Sequence, residues 1–175
     1  VVNVLYLIDE SGSLKWNDKF NLRVEGLKAS LDEFARIKTY RPYFTINRAF
    51  TTFADSFAEV KGKGWQELDE GTLESDKKWI ESDVPELTTG TSTDYAKALD
   101  GAHNFFKPQI TRNSCNVLVW FTDGVFDLGS NDKEVEKKAL DDLKDDTCSS
   151  NGWAVALRKA GVNTYVVLLG EIEKL

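Results

Sequence analysis

A chain of 175 residues is long enough for one well-buried core and too short for two ordinary domains. With 41% apolar and 29% charged residues it has the composition of a soluble globular protein, which excludes a disordered one. A net charge of −7 and a pI of about 4.8 argue against nucleic-acid and membrane-surface partners and in favour of cations. The longest apolar runs, 4–8, 117–121 and 166–169, are too short to insert across a membrane. There is no Met, even at position 1, and the chain starts and stops close to apolar runs. It reads as a single domain, 1–175, excised from a longer chain.

In chain order, 1–8 (VVNVLYLI) predicts a first strand. Phe20, Val24, Leu27, Leu31 and Phe34 then recur at three- and four-residue steps, with Glu25, Lys28, Asp32 and Arg36 mostly opposite, as on an amphipathic helix. Residues 43–53 (YFTINRAFTTF) alternate and are rich in β-branched and aromatic types, so they predict a strand. Ala54-Asp55-Ser56 predicts a turn into a short antiparallel partner over 57–60. Glycine and charge mark loops at 61–64 and 69–71, and a short helix over 73–82 closes before Pro85. A helix over 93–107 carries Ala96, Leu99, Ala102 and Phe106 on one face and ends before Pro108. The continuous apolar run 116–121 (NVLVWF) suits the middle of a parallel sheet. The acidic loop 127–134 lacks EF-hand spacing and reads as a solvated helix start. A charged helix over 132–146 has a narrow stripe of Val135, Ala139 and Leu143, and a short helix over 153–160 leads through Gly161 into a last strand, 163–169.

Strand and helix alternate, with one hairpin near the start, which predicts an α/β fold whose mostly parallel sheet is covered on both faces. Ligands of such sheets bind at the carboxyl ends of the strands, near the topological switch point. After the first strand comes Asp9-Glu10-Ser11-Gly12-Ser13, where alternate residues point the same way and present three oxygens to one spot. Thr89-Gly90-Thr91-Ser92-Thr93-Asp94 precedes the helix over 93–107, and Thr122-Asp123-Gly124 follows the strand over 116–121. Each piece alone suits a helix cap or a turn. Together they aim two carboxylates and several hydroxyls at one sheet edge, a hard oxygen set suited to Mg²⁺, Mn²⁺ or Ca²⁺. Helix N-termini repel cations, and Asp9 and Asp123 are placed to offset that. The lone His103 and the two cysteines form no transition-metal set, and His103, beside Phe106, reads as an ordinary partly buried histidine.

An apolar strand, Asp-x-Ser-x-Ser, Gly-Thr before a helix, and an apolar strand closed by Thr-Asp-Gly together resemble the von Willebrand factor type A (VWA, or integrin I-domain-like) family. The resemblance covers nearly the whole chain in order and spacing, and all five metal positions are filled. It implies a doubly wound, mostly parallel central sheet with helices on both faces and one short antiparallel edge strand, 57–60 here. It also implies a metal-ion-dependent adhesion site. Carried over by position, Ser11, Ser13 and Thr91 contact the ion through hydroxyls, while Asp9 and Asp123 hold it through water or one direct oxygen. Neutral hydroxyl ligands leave the ion able to take a Glu or Asp carboxylate from a partner, with Mg²⁺ the first choice and Ca²⁺ or Mn²⁺ next. The family's closing helix has no counterpart in 171–175, which is too short for it.

Trp16, Tyr95 and Phe126 lie close in sequence to the metal loops and are candidates for an aromatic rim that reads the partner, or for helix ends packed on the sheet. Cys115 and Cys148 suit one disulfide in an oxidising compartment or two separate thiols. Cys115 just before a strand and Cys148 just after the helix that returns along the sheet make a bridge geometrically reasonable. The expected function is the ligand-binding domain of a secreted or cell-surface adhesin, which takes a carboxylate of a protein, matrix or receptor partner. The alternative is an intracellular VWA-type assembly part. A metal-dependent hydrolase ranks lower, because there is no aspartate two residues after Asp9, no Gly-x-x-x-x-Gly-Lys loop and no Gly-x-Gly-x-x-Gly turn, and Ser11 and Ser13 have no histidine candidate except His103.

Overall fold

β1 (Val2–Asp9) is apolar without alternation because it runs through the middle of the sheet and both of its faces are covered. Val4, Tyr6 and Ile8 enter one core cluster, and Leu5 and Leu7 enter the other. The computed structural model describes residues 1–124 and 133–170, those at 133, 136, 139 and 148 by their backbone alone. Around β1 are β2 (Ile46–Phe53), β3 (Phe57–Glu59), β4 (Gln66–Glu67), β5 (Cys115–Thr122) and β6 (Val162–Leu168). The sheet order is β3-β2-β1-β5-β6, with β1, β2, β5 and β6 parallel and β3 antiparallel on β2. This is the doubly wound, mostly parallel sheet with a short antiparallel edge strand that the resemblance implies. β4 adds a second antiparallel piece, which pairs with Asn47 and Arg48.

The helices are α1 (Leu14–Asn17), α2 (Leu22–Tyr40), α3 (Glu70–Ser82), α4 (Tyr95–Phe106), α5 (Lys133–Cys148) and α6 (Trp153–Lys159). Val24, Leu27 and Leu31 of α2 and Ile80 of α3 cover the face of Tyr6 and Ile8. Ala98, Leu99, Ala102 and Phe106 of α4 and Leu157 of α6 cover the face of Leu5 and Leu7. Helices thus cover both faces of the sheet.

Several boundaries differ from expectation for identifiable reasons. Phe20 is exposed and stands before α2, because Asn21 takes a left-handed conformation (φ 51°) and Asp18 accepts the Leu22 N–H at 2.5 Å. β2 begins at Ile46, so Tyr43 and Phe44 lie in the preceding turn, exposed and in edge contact with each other. α3 begins at Glu70, within a stretch expected to be loop, because Asp69 and Thr72 form a reciprocal capping box. Val135 of the narrow stripe on α5 is exposed. β6 is an edge strand with Tyr165, Val166 and Leu168 open to solvent. Cys115, at the base of β5, is a free and exposed thiol. α5, which ends at Cys148, packs against α4 and α6. The bridge expected between the two is not formed at Cys115, and the Cys148 side chain lies outside the described residues. So do the loop 127–132 and the segment 171–175.

Candidate metal centre

In a parallel sheet the strand order 2-1-5 places the ends of β1 and β5 side by side at the switch point. Ile8 pairs with Phe121, which sets Asp9 beside Thr122. Asp9 is fully buried. Its Oδ1 accepts from the Ser11 N–H at 2.8 Å, and its Oδ2 accepts from the Thr122 hydroxyl at 2.8 Å. Burial pushes the Asp9 carboxyl up, the nearby Asp123 adds to that, and the bonds from Ser11 and Thr122 oppose it. Because Thr122 donates to Asp9, it receives the Tyr95 hydroxyl (3.1 Å) and the Gly124 N–H (3.1 Å). Gly124 turns the chain at φ +75°, a conformation that favours glycine.

The chain beyond Asp9 is held against the loop before α4. Gly12 N–H donates to Gly90 C=O (2.9 Å), Gly90 N–H donates to Glu10 C=O (3.0 Å), and Ser11 and Gly90 form a parallel bridge. The contact requires glycine: a Cβ at Gly90 would lie 2.2 Å from the Ala54 Cβ and 3.1 Å from the Glu10 carbonyl. Gly90→Ala should therefore push the two loops apart, cost about 1–3 kcal/mol of stability as an overpacked site, and weaken cation binding. Thermal melts beside Mg²⁺ titration check this, and wild-type behaviour in both would refute the close-approach argument.

Ser11, Ser13 and Thr91, with Gly12, Gly90, Ser92 and Thr93, line a cavity of about 170 Å³. The Ser11 and Ser13 hydroxyl oxygens are 3.0 Å apart. Adjacent ligands of an octahedral Mg²⁺ at its usual bond length are separated by about 3 Å, so this pair fits one edge of such a shell. Thr91 Oγ1 donates to Asp55 Oδ2 at 2.9 Å. Asp123 follows β5, half-buried, and accepts from Asn17 Nδ2 of α1 at 3.0 Å. Among the described residues no three carboxylate, imidazole or thiol side chains gather as a metal cluster. The side-chain donors that line the cavity are hydroxyls, with the Asp9 carboxylate bonded to the Ser11 N–H behind them and Asp123 near enough to act on Asp9, and such an oxygen set fits a hard divalent cation.

Of the rim candidates, Trp16 stands exposed on α1, directly after the Ser13 loop. Tyr95 turns inward: its ring lies against Trp120 (5.2 Å) and Phe53 (5.9 Å), and burial pushes its hydroxyl pKa up. It is bonded to Thr122, which in turn holds Asp9, and it offers little to a rim. Phe126 lies outside the described residues. His103 is in the last turn of α4, its ring 5.6 Å from that of Trp153.

Three supporting residues stand outside the motifs that the sequence offers. Arg23 is 1% exposed; its Nε donates to Asp18 at 2.7 Å, and its Nη1 donates to the carbonyls of Asp9 and Leu87, each at 2.9 Å. It thereby joins the end of β1 to the chain that leads into Gly90. Asn17 holds Asp123 as described. Asp55, after β2, accepts from Thr91 and Ser92, and those bonds hold its carboxyl below the usual range. Its one signal in the sequence is its place at the carboxyl end of β2, the edge where β1 and β5 also end.

No protein-family model matches the chain, and no curated protein does. Solved structures do. The PilB minor pilin of Streptococcus sanguinis superposes with a TM-score of 0.64 at 13% identity, over 95% of this chain and 56% of that one. The conserved hypothetical protein BatB of Bacteroides thetaiotaomicron gives 0.56 at 18%, over 96% and 66%. A von Willebrand factor type A structure from Catenulispora acidiphila gives 0.56 at 16%, over 95% and 38%. The chain thus spans about two thirds or less of each of these three. At these identities the likeness establishes the fold, which is VWA-like.

Proposed function

We propose that this chain is a metal-dependent binding module that holds an acidic group of a partner through one divalent cation, Mg²⁺ by preference and Ca²⁺ or Mn²⁺ otherwise. The observation that carries this reading is the meeting of Ser11, Ser13 and Thr91 on one cavity, with the Asp9 carboxylate bonded to the Ser11 N–H. The three neutral hydroxyls serve as direct ligands, and Asp9 and Asp123 balance charge through water or one direct oxygen. When bound, the ion supplies an electrophilic position for one anionic oxygen, and a Glu or Asp side chain of a partner fits it. The chain's own residues fix the geometry of that position. Arg23 and the Ser11–Gly90 bridge set the spacing of the two loops, Asn17 holds Asp123, and Trp16 offers an apolar contact beside the opening. The role is binding and not catalysis. A minor pilin among the structural neighbours favours adhesion or protein interaction at the cell surface, with a protein or matrix ligand.

Calorimetric titration of chelator-stripped protein should show one Mg²⁺ site. A surface bearing glutamate-containing peptide should then retain the protein in Mg²⁺ and release it on chelation. Absence of any cation binding would remove the proposal, and cation binding without chelator-sensitive retention would remove its partner half.

The free Cys115 thiol favours a second reading, in which the same site serves an intracellular assembly part. Thiol counting on denatured, unreduced protein separates the two: two reactive thiols point inside the cell, and none points to a bridge and an oxidising compartment.

A further inference from the structure

We infer that Asp55 is a positioning residue that fixes the Thr91 hydroxyl as a cation ligand, an inference that rests on the metal-centre reading. Asp55 lies in the turn between β2 and β3, and that turn is tied to the start of α4. Asp94 N–H donates to Ala54 C=O (2.8 Å), and Lys97 Nζ donates to Asp55 C=O (3.2 Å). The Asp55 carboxylate faces the loop before α4. Oδ1 takes the Ser92 N–H and the Ser92 hydroxyl, each at 2.6 Å, and Oδ2 takes the Thr91 hydroxyl at 2.9 Å.

The direction of the last bond decides the chemistry. Asp55 is exposed and satisfied by three donors, so it is ionised and can only accept. The Thr91 hydroxyl must therefore donate, and its single hydrogen is committed to Asp55. Its lone pairs are left for other partners, and the residue lines the same cavity as Ser11 and Ser13. An untethered threonine hydroxyl would spend part of its time with its hydrogen toward the cation position, where it repels. Donation to a carboxylate also enriches the oxygen and makes it a better ligand. Asp55 thus does for Thr91 what a carboxylate does for a metal-bound imidazole: it selects the orientation and raises the basicity. The role is distinct from that of Asp9 and Asp123, because Asp55 acts through another side chain.

Asp55 is exposed in a turn, so its variants should fold, and melting curves verify this. In Mg²⁺ calorimetry, Asp55→Ala should lower affinity about 10- to 100-fold. Ser92→Ala removes one tether of the same loop but keeps the Thr91–Asp55 bond, and should change affinity less than about threefold. Asp55→Asn retains an accepting carbonyl oxygen and should recover part of the loss. The inference is overturned if Asp55→Ala binds like wild type. It is equally overturned if Ser92→Ala loses as much, which would make Asp55 a loop tether only, or if Asp55→Asn recovers nothing, which would assign the effect to charge alone. A wild-type protein that binds no Mg²⁺ overturns the metal centre itself and this inference with it. A wild type that binds, beside an unaffected Asp55→Ala, overturns the inference alone.

Discussion

Asp9→Ala should leave a folded protein whose Mg²⁺ affinity has fallen about 100-fold or more. Asp9 is the buried floor of the centre, and its two oxygens order the loop on one side through Ser11 and the end of β5 on the other through Thr122. Removing it deletes a negative charge and leaves Asp123 as the remaining carboxylate of the proposed set. Folding should suffer less than binding. The Ser11 N–H and Thr122 hydroxyl lose their acceptor, at about 1–3 kcal/mol, but a buried carboxylate disappears at the same time. The Asp9 carboxyl is held above its ordinary value of 3.8, chiefly by burial. The folded chain therefore grips this proton more tightly than the unfolded chain. Cation-free stability is greatest below the ordinary value, falls as pH rises through the raised value, and stays lowered above it. Proton and cation compete for one carboxylate, so apparent Mg²⁺ affinity should weaken as pH falls into the same window. Melting curves with and without Mg²⁺ across pH, on wild type and variant, read all of this. A variant that keeps the Mg²⁺-induced rise in melting temperature would sink the assignment of Asp9.

The strands of the sheet centre are legible because burial on both faces forces continuous apolar sequence, as in β1 and β5. The loops of the centre are legible because hydroxyl and carboxylate residues cluster just where those strands end. What pattern could not supply is pairing and buried charge. β4 is two residues long, Gln66 and Glu67, and exists only because Asn47 and Arg48 accept it as a partner. α1 spans four residues, less than any periodicity can register. Arg23 and Arg48 are each 1% exposed, although hydrophobic patterning assigns arginine to the surface. Asp55 is hidden for another reason: in sequence its turn reads as a connector, and only the fold brings it to Thr91.

Asp76→Ala should destabilise the fold by about 3–5 kcal/mol, the largest single loss of stability expected outside the apolar core. Asp76 lies on α3 with its side chain fully buried, and it receives Arg48 of β2 through two nitrogens and Lys63 of the following loop at 2.9 Å. The Arg48 and Lys63 side chains are themselves 2% and 11% exposed, so neither cation can turn to water. Gln66 takes one further Arg48 N–H at 2.8 Å, and the Ser75 carbonyl accepts from Lys63 at 3.2 Å. Without Asp76, two buried positive charges face only neutral acceptors. Against a total stability of about 5–15 kcal/mol, such a loss is a third or more for many domains. At about 2–4 °C per kcal/mol for this chain length, the melting temperature should fall by roughly 6–20 °C. Replacing all three together, with Arg48→Met, Lys63→Met and Asp76→Leu, should recover much of it, because a matched apolar set removes the desolvation cost along with the charges. Chemical denaturation of the single and triple variants tests the argument. A single variant within about 1 kcal/mol of wild type would mean that water reaches these cations and that the cluster is not a buried network. A triple variant no better than the single would place the loss in packing, with Trp79 and Phe50 beside the two cations as the next residues to probe.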